Sequence, residues 1–221
     1  MAKSTMLKSS IAKKVAMALS GLFLVTFLAL HFFINLTSVF SESVFNACSH
    51  FMGYNPLIQF VMQPILVAGV VFHFVMGMVL ELKNREARPV AYAKYNGAAN
   101  ASWPSRNMII SGLVVLAFLG LHMYDFWFQE ILYKYVDVQS VNETRYFEEL
   151  VHKFESPVRT GLYVIAFVLL AMHLWHGFSS SFQSVGFNNK FSKNIQKCGY
   201  AFAIIVPFGF IFIALFHHFN Q

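Results

Sequence analysis

Five apolar runs, at roughly 12–36, 57–82, 107–128, 158–181 and 198–219, constrain this chain more than any other feature of its sequence. Each has about the 20 residues that an α-helix needs to cross a bilayer, and in lipid only helices and closed barrels satisfy their own backbone hydrogen bonds. Composition agrees: 57% of the 221 residues are hydrophobic and 12% are charged, against about 25% charged in a soluble domain. Soluble enzymes, disulfide-rich scaffolds and disordered tails are excluded on these grounds. The expected fold is an all-α membrane protein, one domain over 1–221, with five transmembrane helices of which the first four form a bundle. The first run is longer than a signal peptide's apolar core and no A-x-A-like cleavage site follows it, so it reads as a retained span.

Lysine and arginine set the sidedness. Twelve of the sixteen fall in the N-terminus (Lys3, Lys8, Lys13, Lys14), the second connection (Lys83, Arg85, Arg88, Lys94, Arg106) and the fourth (Lys190, Lys193, Lys197). With five spans these segments share one side. The other side receives Lys134, Arg145, Lys153 and Arg159, in a long acidic connection with Asp137, Glu143, Glu148, Glu149 and Glu155. By the positive-inside rule the N-terminus is cytoplasmic and the C-terminus lies outside. Cys48 and Cys198 then lie on opposite sides of the bilayer, which excludes a disulfide between them.

The connections carry little chemistry. Residues 84–106 contain Pro89, Gly97 and Pro104 and read as irregular surface, and the stretch 129–157 predicts an interfacial helix from Phe128, Ile131, Leu132 and Tyr135. Ser156 and Pro157 mark the start of the fourth helix, as expected of a first-turn proline. Pro64 and Pro207 predict bends in the second and fifth. Neither an internal repeat nor a low-complexity segment is evident on a pass along the chain.

Ionisable groups inside spans are expensive and point to a cofactor, an ion path or a partner. Helices one to four each hold a histidine well inside: His31, His73, His122 and His173. One such histidine is most simply a packing residue; four in successive helices require a joint explanation. His31 and His122 lie near the outer ends of the two helices that run outward, and His73 and His173 nearer the inner ends of the two that run inward. At 1.5 Å of rise per residue the two layers are separated by about 15 Å. In an up-down-up-down bundle the first and third helices are diagonal, as are the second and fourth. Each pair therefore faces one cavity from opposite sides.

A planar macrocycle with two axial imidazoles fits between such pairs, and two layers imply two haems. Zinc wants four ligands around one point, not two pairs at different depths. No C-x-x-C-H occurs, so the haems are expected to be non-covalent, b-type. Gly77 and Gly177 each follow a ligand candidate by four residues on the same helix face, where a missing side chain makes room for a porphyrin edge. His176, about 60° around the helix from His173, reads as a propionate partner, an inner-interface residue or an alternative ligand, and Arg159 is the preferred propionate partner on the outer side. Lys83, Arg85 and Arg88 read as topology-setting charges that could also reach the inner propionates. His50, His217 and His218 read as solvated surface, and His152 receives no role.

On this ordered set, with H-x-x-x-G on the second and fourth helices and Ser49-His50-Phe51-Met52 before the second, the chain resembles the cytochrome b membrane anchor of succinate dehydrogenase and fumarate reductase (succinate:quinone oxidoreductase), in its five-helix, two-haem class. The resemblance covers nearly the whole chain. It implies that His73 and His173 hold the haem nearer the cytoplasmic subunits and His31 and His122 the distal one. It also implies a flavoprotein subunit and an iron–sulfur subunit on the cytoplasmic side, menaquinone reacting near the distal haem, a bacterial cytoplasmic membrane, and a place in electron transport and the tricarboxylic acid cycle. The chain would not act on succinate by itself: it has no dinucleotide fingerprint and no cysteine set for an iron–sulfur cluster.

The resemblance departs at the proton path. Where some members carry a membrane acid near the outer start of the second helix, or two residues before the fourth-helix histidine, this chain has Gln59 and Gln63, and Ala171. Asp125, three residues after His122, is the carboxylate nearest the expected quinone end and the candidate proton or hydrogen-bond group. Two other classes share the pattern. One is a diheme cytochrome b of a hydrogenase or formate dehydrogenase; the other is a haem-free transporter with a histidine relay, which predicts broken helices or inverted repeats.

Overall fold

A computed structural model describes residues 9–86, 103–186 and 191–220. Every regular element among the described residues is helical. Five helices are long and apolar enough to cross a membrane: α1 (Ser10–Phe40), α3 (Ile58–Glu86), α5 (Met108–Val136), α7 (Pro157–Ser184) and α8 (Ser192–Phe219). Three shorter ones join them: α2 (Glu42–Tyr54), α4 (Trp103–Arg106) and α6 (Arg145–Glu155).

Local signals account for the boundaries. Ser41 is extended and its hydroxyl accepts from Val44 N at 3.4 Å, capping α2. Ser156 does the same for Arg159 N, with Pro157 in the first turn of α7, as expected. All five spans differ from their expected limits by a few residues, because polar side chains in the end turns hide the helix from a hydropathy reading. Two differences are larger. The helix expected to stop near 128 continues to Val136 through widened π turns at Met123–Phe128 and Leu132–Val136. An amphipathic helix does lie within 129–157, at Arg145–Glu155, while Phe128, Ile131, Leu132 and Tyr135, which suggested it, belong to the extended α5; α2 was not expected. Arg88, Lys94, Pro89 and Gly97 lie outside the described residues.

The two ends of the bundle differ. One carries Lys83, Arg85, Arg106, Lys193 and Lys197 and is called the basic end; the other is closed by α2 and α6 and is called the capped end. The main core lies in the capped half, where Phe32, Phe45, Leu150, Phe154, Tyr163, Phe167, Val206 and Phe210 pack together from α1, α2, α6, α7 and α8. Here α8 comes close enough that a Cβ on Gly209 would overlap the Phe32 ring. At the same time α3 buries none of its residues, and Leu30, Val71, Ile165 and Phe212 are all exposed. An apolar surface of that extent fits a multi-pass membrane protein.

The cap is held by charge. Arg145 is buried, pairs with Glu130 and with Glu149 (2.6 Å), and lies over the rings of Tyr133 and Tyr146. Lys134 bridges Glu130 and the Gly53 carbonyl, the latter at 2.6 Å, which ties α5 to α2. Phe147 N donates to Asn46 Oδ1 at 2.9 Å, joining α6 to α2. Burial beside Glu130 pushes the Tyr146 phenol well above its ordinary value, and Tyr54 moves the same way.

Candidate functional site

The histidines of α3 and α7 are held in the basic half by the helices that precede them. Ser20 on α1 lies 2.9 Å from His73 Nδ1, and Ser111 on α5 lies 3.2 Å from His173 Nδ1. Each serine hydroxyl donates to the carbonyl three residues back: Met17 O at 2.8 Å and Met108 O at 2.9 Å. The next residue in each case is a glycine against the imidazole, since a Cβ on Gly21 would stand 3.3 Å from His73 Cε1 and one on Gly112 3.4 Å from His173 Cε1. The same methionines then cover the glycines that follow the histidines: Met17 Cε faces Gly77 and Met108 Cε faces Gly177. Ser181, whose hydroxyl donates to Gly177 O, also abuts Gly21.

In the capped half His31 and His122 meet directly, with ring centroids 5.7 Å apart and planes at 84°. Phe27 and Phe210 lie beside His31, and Phe118, Phe126 and Tyr163 beside His122. Asn35 Nδ2 donates to the His31 carbonyl at 2.8 Å and stands 3.4 Å from its Nε2. Among the described residues, His122 Nδ1 is buried with no hydrogen-bond partner.

Asp125 follows His122 in the first π turn of α5 and is 1% exposed. Its Oδ2 accepts from Tyr163 OH at 2.9 Å and pairs with Arg159 Nε at 3.3 Å, while its Oδ1 is buried without a partner. A widened turn is a frequent site of function because it turns a side chain out of the regular helical register. Arg159, expected to meet a propionate, is thus engaged by Asp125, and its side chain keeps 33% of its exposure.

A groove of about 870 Å³ runs along α3 and the end of α5; Asp125, Tyr163 and Arg159 do not line it. Its walls are Pro64, Val67, Val71 and Phe72, and its mouth carries Gln59, Gln63, Trp127 and Tyr135, with Gln59 hydrogen-bonded to the Tyr135 phenol. Gln59 and Gln63 therefore sit at an apolar cleft.

Three surface histidines are placed otherwise than expected. His217 is 1% exposed and bonded to Ser38 Oγ at 2.8 Å, because α8 turns it into the core beside Phe147. His218 meets the Phe154 carbonyl at 2.7 Å. His50 is partly covered, stacks on Tyr54 and approaches Glu143 at 3.8 Å. The exposed His152 pairs with Glu155. His176 is half-buried one turn beyond His173, and Arg85 pairs with Glu81 at 2.8 Å.

These contacts expose a repeat that inspection of the chain passes over. Met17-x-x-Ser20-Gly21 recurs as Met108-x-x-Ser111-Gly112, each followed after the same interval by Phe27 and His31 or Phe118 and His122. Eight of the fifteen positions from 17 to 31 match those from 108 to 122. With H-x-x-x-G on α3 and α7, the same residue types recur in the helix pairs α1–α3 and α5–α7. Ser20, Ser111 and Tyr163 are the functional-site residues that sequence reasoning missed; the repeated Ser-Gly was the available signal for the first two. Searches of protein-family models, curated proteins and solved structures found no match to this chain.

The separation of His31 and His122 is compatible with two imidazoles on one metal. Two imidazoles bound to one metal through nitrogens at about 2 Å have ring centres roughly 6 Å apart, close to the separation of His31 and His122. In the other layer the serines engage Nδ1, which leaves Nε2 as the nitrogen to face a metal. Among the described residues, what lies over Gly77 and Gly177 within 4 Å is a methionine end, a flexible group that can withdraw from an incoming ring edge.

Proposed function

We propose that this chain is the diheme cytochrome b anchor of a succinate:quinone oxidoreductase, working as succinate dehydrogenase or fumarate reductase and carrying electrons between an iron–sulfur subunit and menaquinone. The single observation that carries this reading is the direct meeting of His31 and His122 in one half of the bundle, with His73 and His173 each seated on a serine in the other. Two b haems, when bound, supply one-electron chemistry whose potential is set by axial ligands and surroundings. His73 and His173 hold the one nearer the basic, cytoplasmic end, and His31 and His122 hold the one nearer the capped end. The chain crosses a bacterial cytoplasmic membrane with its C-terminus outside, and its basic end docks the iron–sulfur and flavoprotein subunits.

Quinone belongs at the capped end in this reading. The groove mouth at Gln59 and Tyr135 offers hydrogen-bond partners to a quinone carbonyl above an apolar cleft for its tail. Asp125, whose Oδ1 has no partner among the described residues, is the group we assign to hold or pass a proton at this end, although it does not line the groove itself. Purification of the intact complex tests the assignment. A copurifying flavoprotein and iron–sulfur protein, with a b-type absorbance reducible by succinate, is the expected result; a nickel or molybdenum enzyme in their place would move the chain to the hydrogenase or formate dehydrogenase class.

A further inference from the structure

We propose that Ser20 and Ser111 are positioning residues that hold His73 and His173 in the tautomer with the proton on Nδ1, so that each Nε2 presents its lone pair to a metal. The inference rests on the two-haem reading above and adds to it residues with no contact to the haem iron. Each serine has one hydrogen, and the main-chain carbonyl of Met17 or Met108 takes it, at 2.8 and 2.9 Å. The oxygen can then only accept, so the imidazole must donate from Nδ1 across the 2.9 and 3.2 Å contacts. Gly21 and Gly112 complete each seat by letting the helix backbone come up to the imidazole edge.

The same four-part arrangement of methionine carbonyl, serine, glycine and imidazole occurs twice, on two helix pairs far apart in sequence. A serine placed only to fill space would need neither the repeated register nor the repeated hydrogen-bond direction. A metal-bound histidine usually donates its other ring N–H to a fixed acceptor, which sets ring orientation and raises ligand basicity. A more basic ligand favours the oxidised metal and lowers its potential. The outer pair shows no such seat among the described residues: Asn35 stands 3.4 Å from Nε2 of His31, not from Nδ1, and His122 Nδ1 has no partner.

The test uses Ser20→Ala and Ser111→Ala in the intact purified complex, with Ser20→Thr and Ser111→Thr as conservative partners. Haem content, the midpoint potentials of the two b components and their low-spin paramagnetic resonance signals are read together. The alanine variants should raise the potential and shift the resonance of the inner component alone, and loosen its haem by about 10–100-fold. Threonine, which keeps a hydroxyl able to bond the preceding turn, should restore both. Should an alanine variant fail to assemble, Ser20→Cys, which keeps the size and offers only a weak acceptor, should show the same shift. Unchanged potentials and resonances with two haems bound would overturn the serine assignment, as would equal shifts in both components. An unmodified complex without haem would overturn the reading beneath it as well.

Discussion

In the capped half His31 and His122 meet each other among Phe27, Phe118, Phe126 and Phe210, whereas in the basic half His73 and His173 each meet a serine on the neighbouring helix. The first pair is fixed by a packed aromatic core and a charged cap, the second by hydrogen bonds from a less buried part of the bundle. Packing and hydrogen bonding thus do the same job at the two depths. They should fail differently: volume changes should disturb the capped pair, and loss of a hydroxyl the basic pair.

The largest effect expected is layer-selective loss. His122→Ala should remove one of two haems and leave the inner spectral component, and His173→Ala should do the reverse, as read by haemochrome content and low-temperature spectra. Loss of both components equally in either variant would break the distinction between layers. Next in size, Phe210→Ala should destabilise the capped half by about 3–5 kcal/mol, the usual cost of truncating a core phenylalanine, with the outer component lost first on heating. Simultaneous loss of both would mean that the halves melt as one.

A smaller and more local effect should follow from Asp125. Asp125→Asn leaves Arg159 without its carboxylate, and Tyr163→Phe removes one hydrogen bond worth about 1 kcal/mol. If Asp125 serves the quinone end, Asp125→Asn should slow quinone turnover several-fold more than Tyr163→Phe while leaving both haems reducible. Equal turnover in the two variants would reduce Asp125 to a structural role.

The smallest effect should come from alkaline pH at the cap. The folded state raises the Tyr146 and Tyr54 phenols, so it binds those protons more tightly than the unfolded chain does. Their contribution is complete below the ordinary tyrosine value of about 10 and fades as pH rises from there. Proteolysis within α2 and α6 should therefore accelerate above that value and be muted in Tyr146→Phe, with the inner component unaffected.

The spans and the four histidines were legible because lipid imposes a length and makes a polar side chain conspicuous. The start of α7 was legible because Ser156 and Pro157 act through local geometry. The serine seats were not, since Ser20 and Ser111 inside apolar runs look like the small residues that let any two membrane helices pack. The repeat that marks them is also masked: Met108 follows Met17 by 91 residues but His173 follows His73 by 100, so no single register aligns both hairpin arms. The burial of His217 was hidden because it depends on how α8 rotates against α1 and α6, a tertiary choice. The engagement of Arg159 by Asp125 depends likewise on the π turn at Met123–Phe128, which a hydropathy reading of the span does not show.

Haem stoichiometry tests the central claim most directly. A pyridine haemochrome assay on the detergent-purified complex, normalised to the amount of this chain, should give two b haems per copy. A well-folded preparation with none would contradict the account and leave His31, His73, His122 and His173 to packing or to a proton relay.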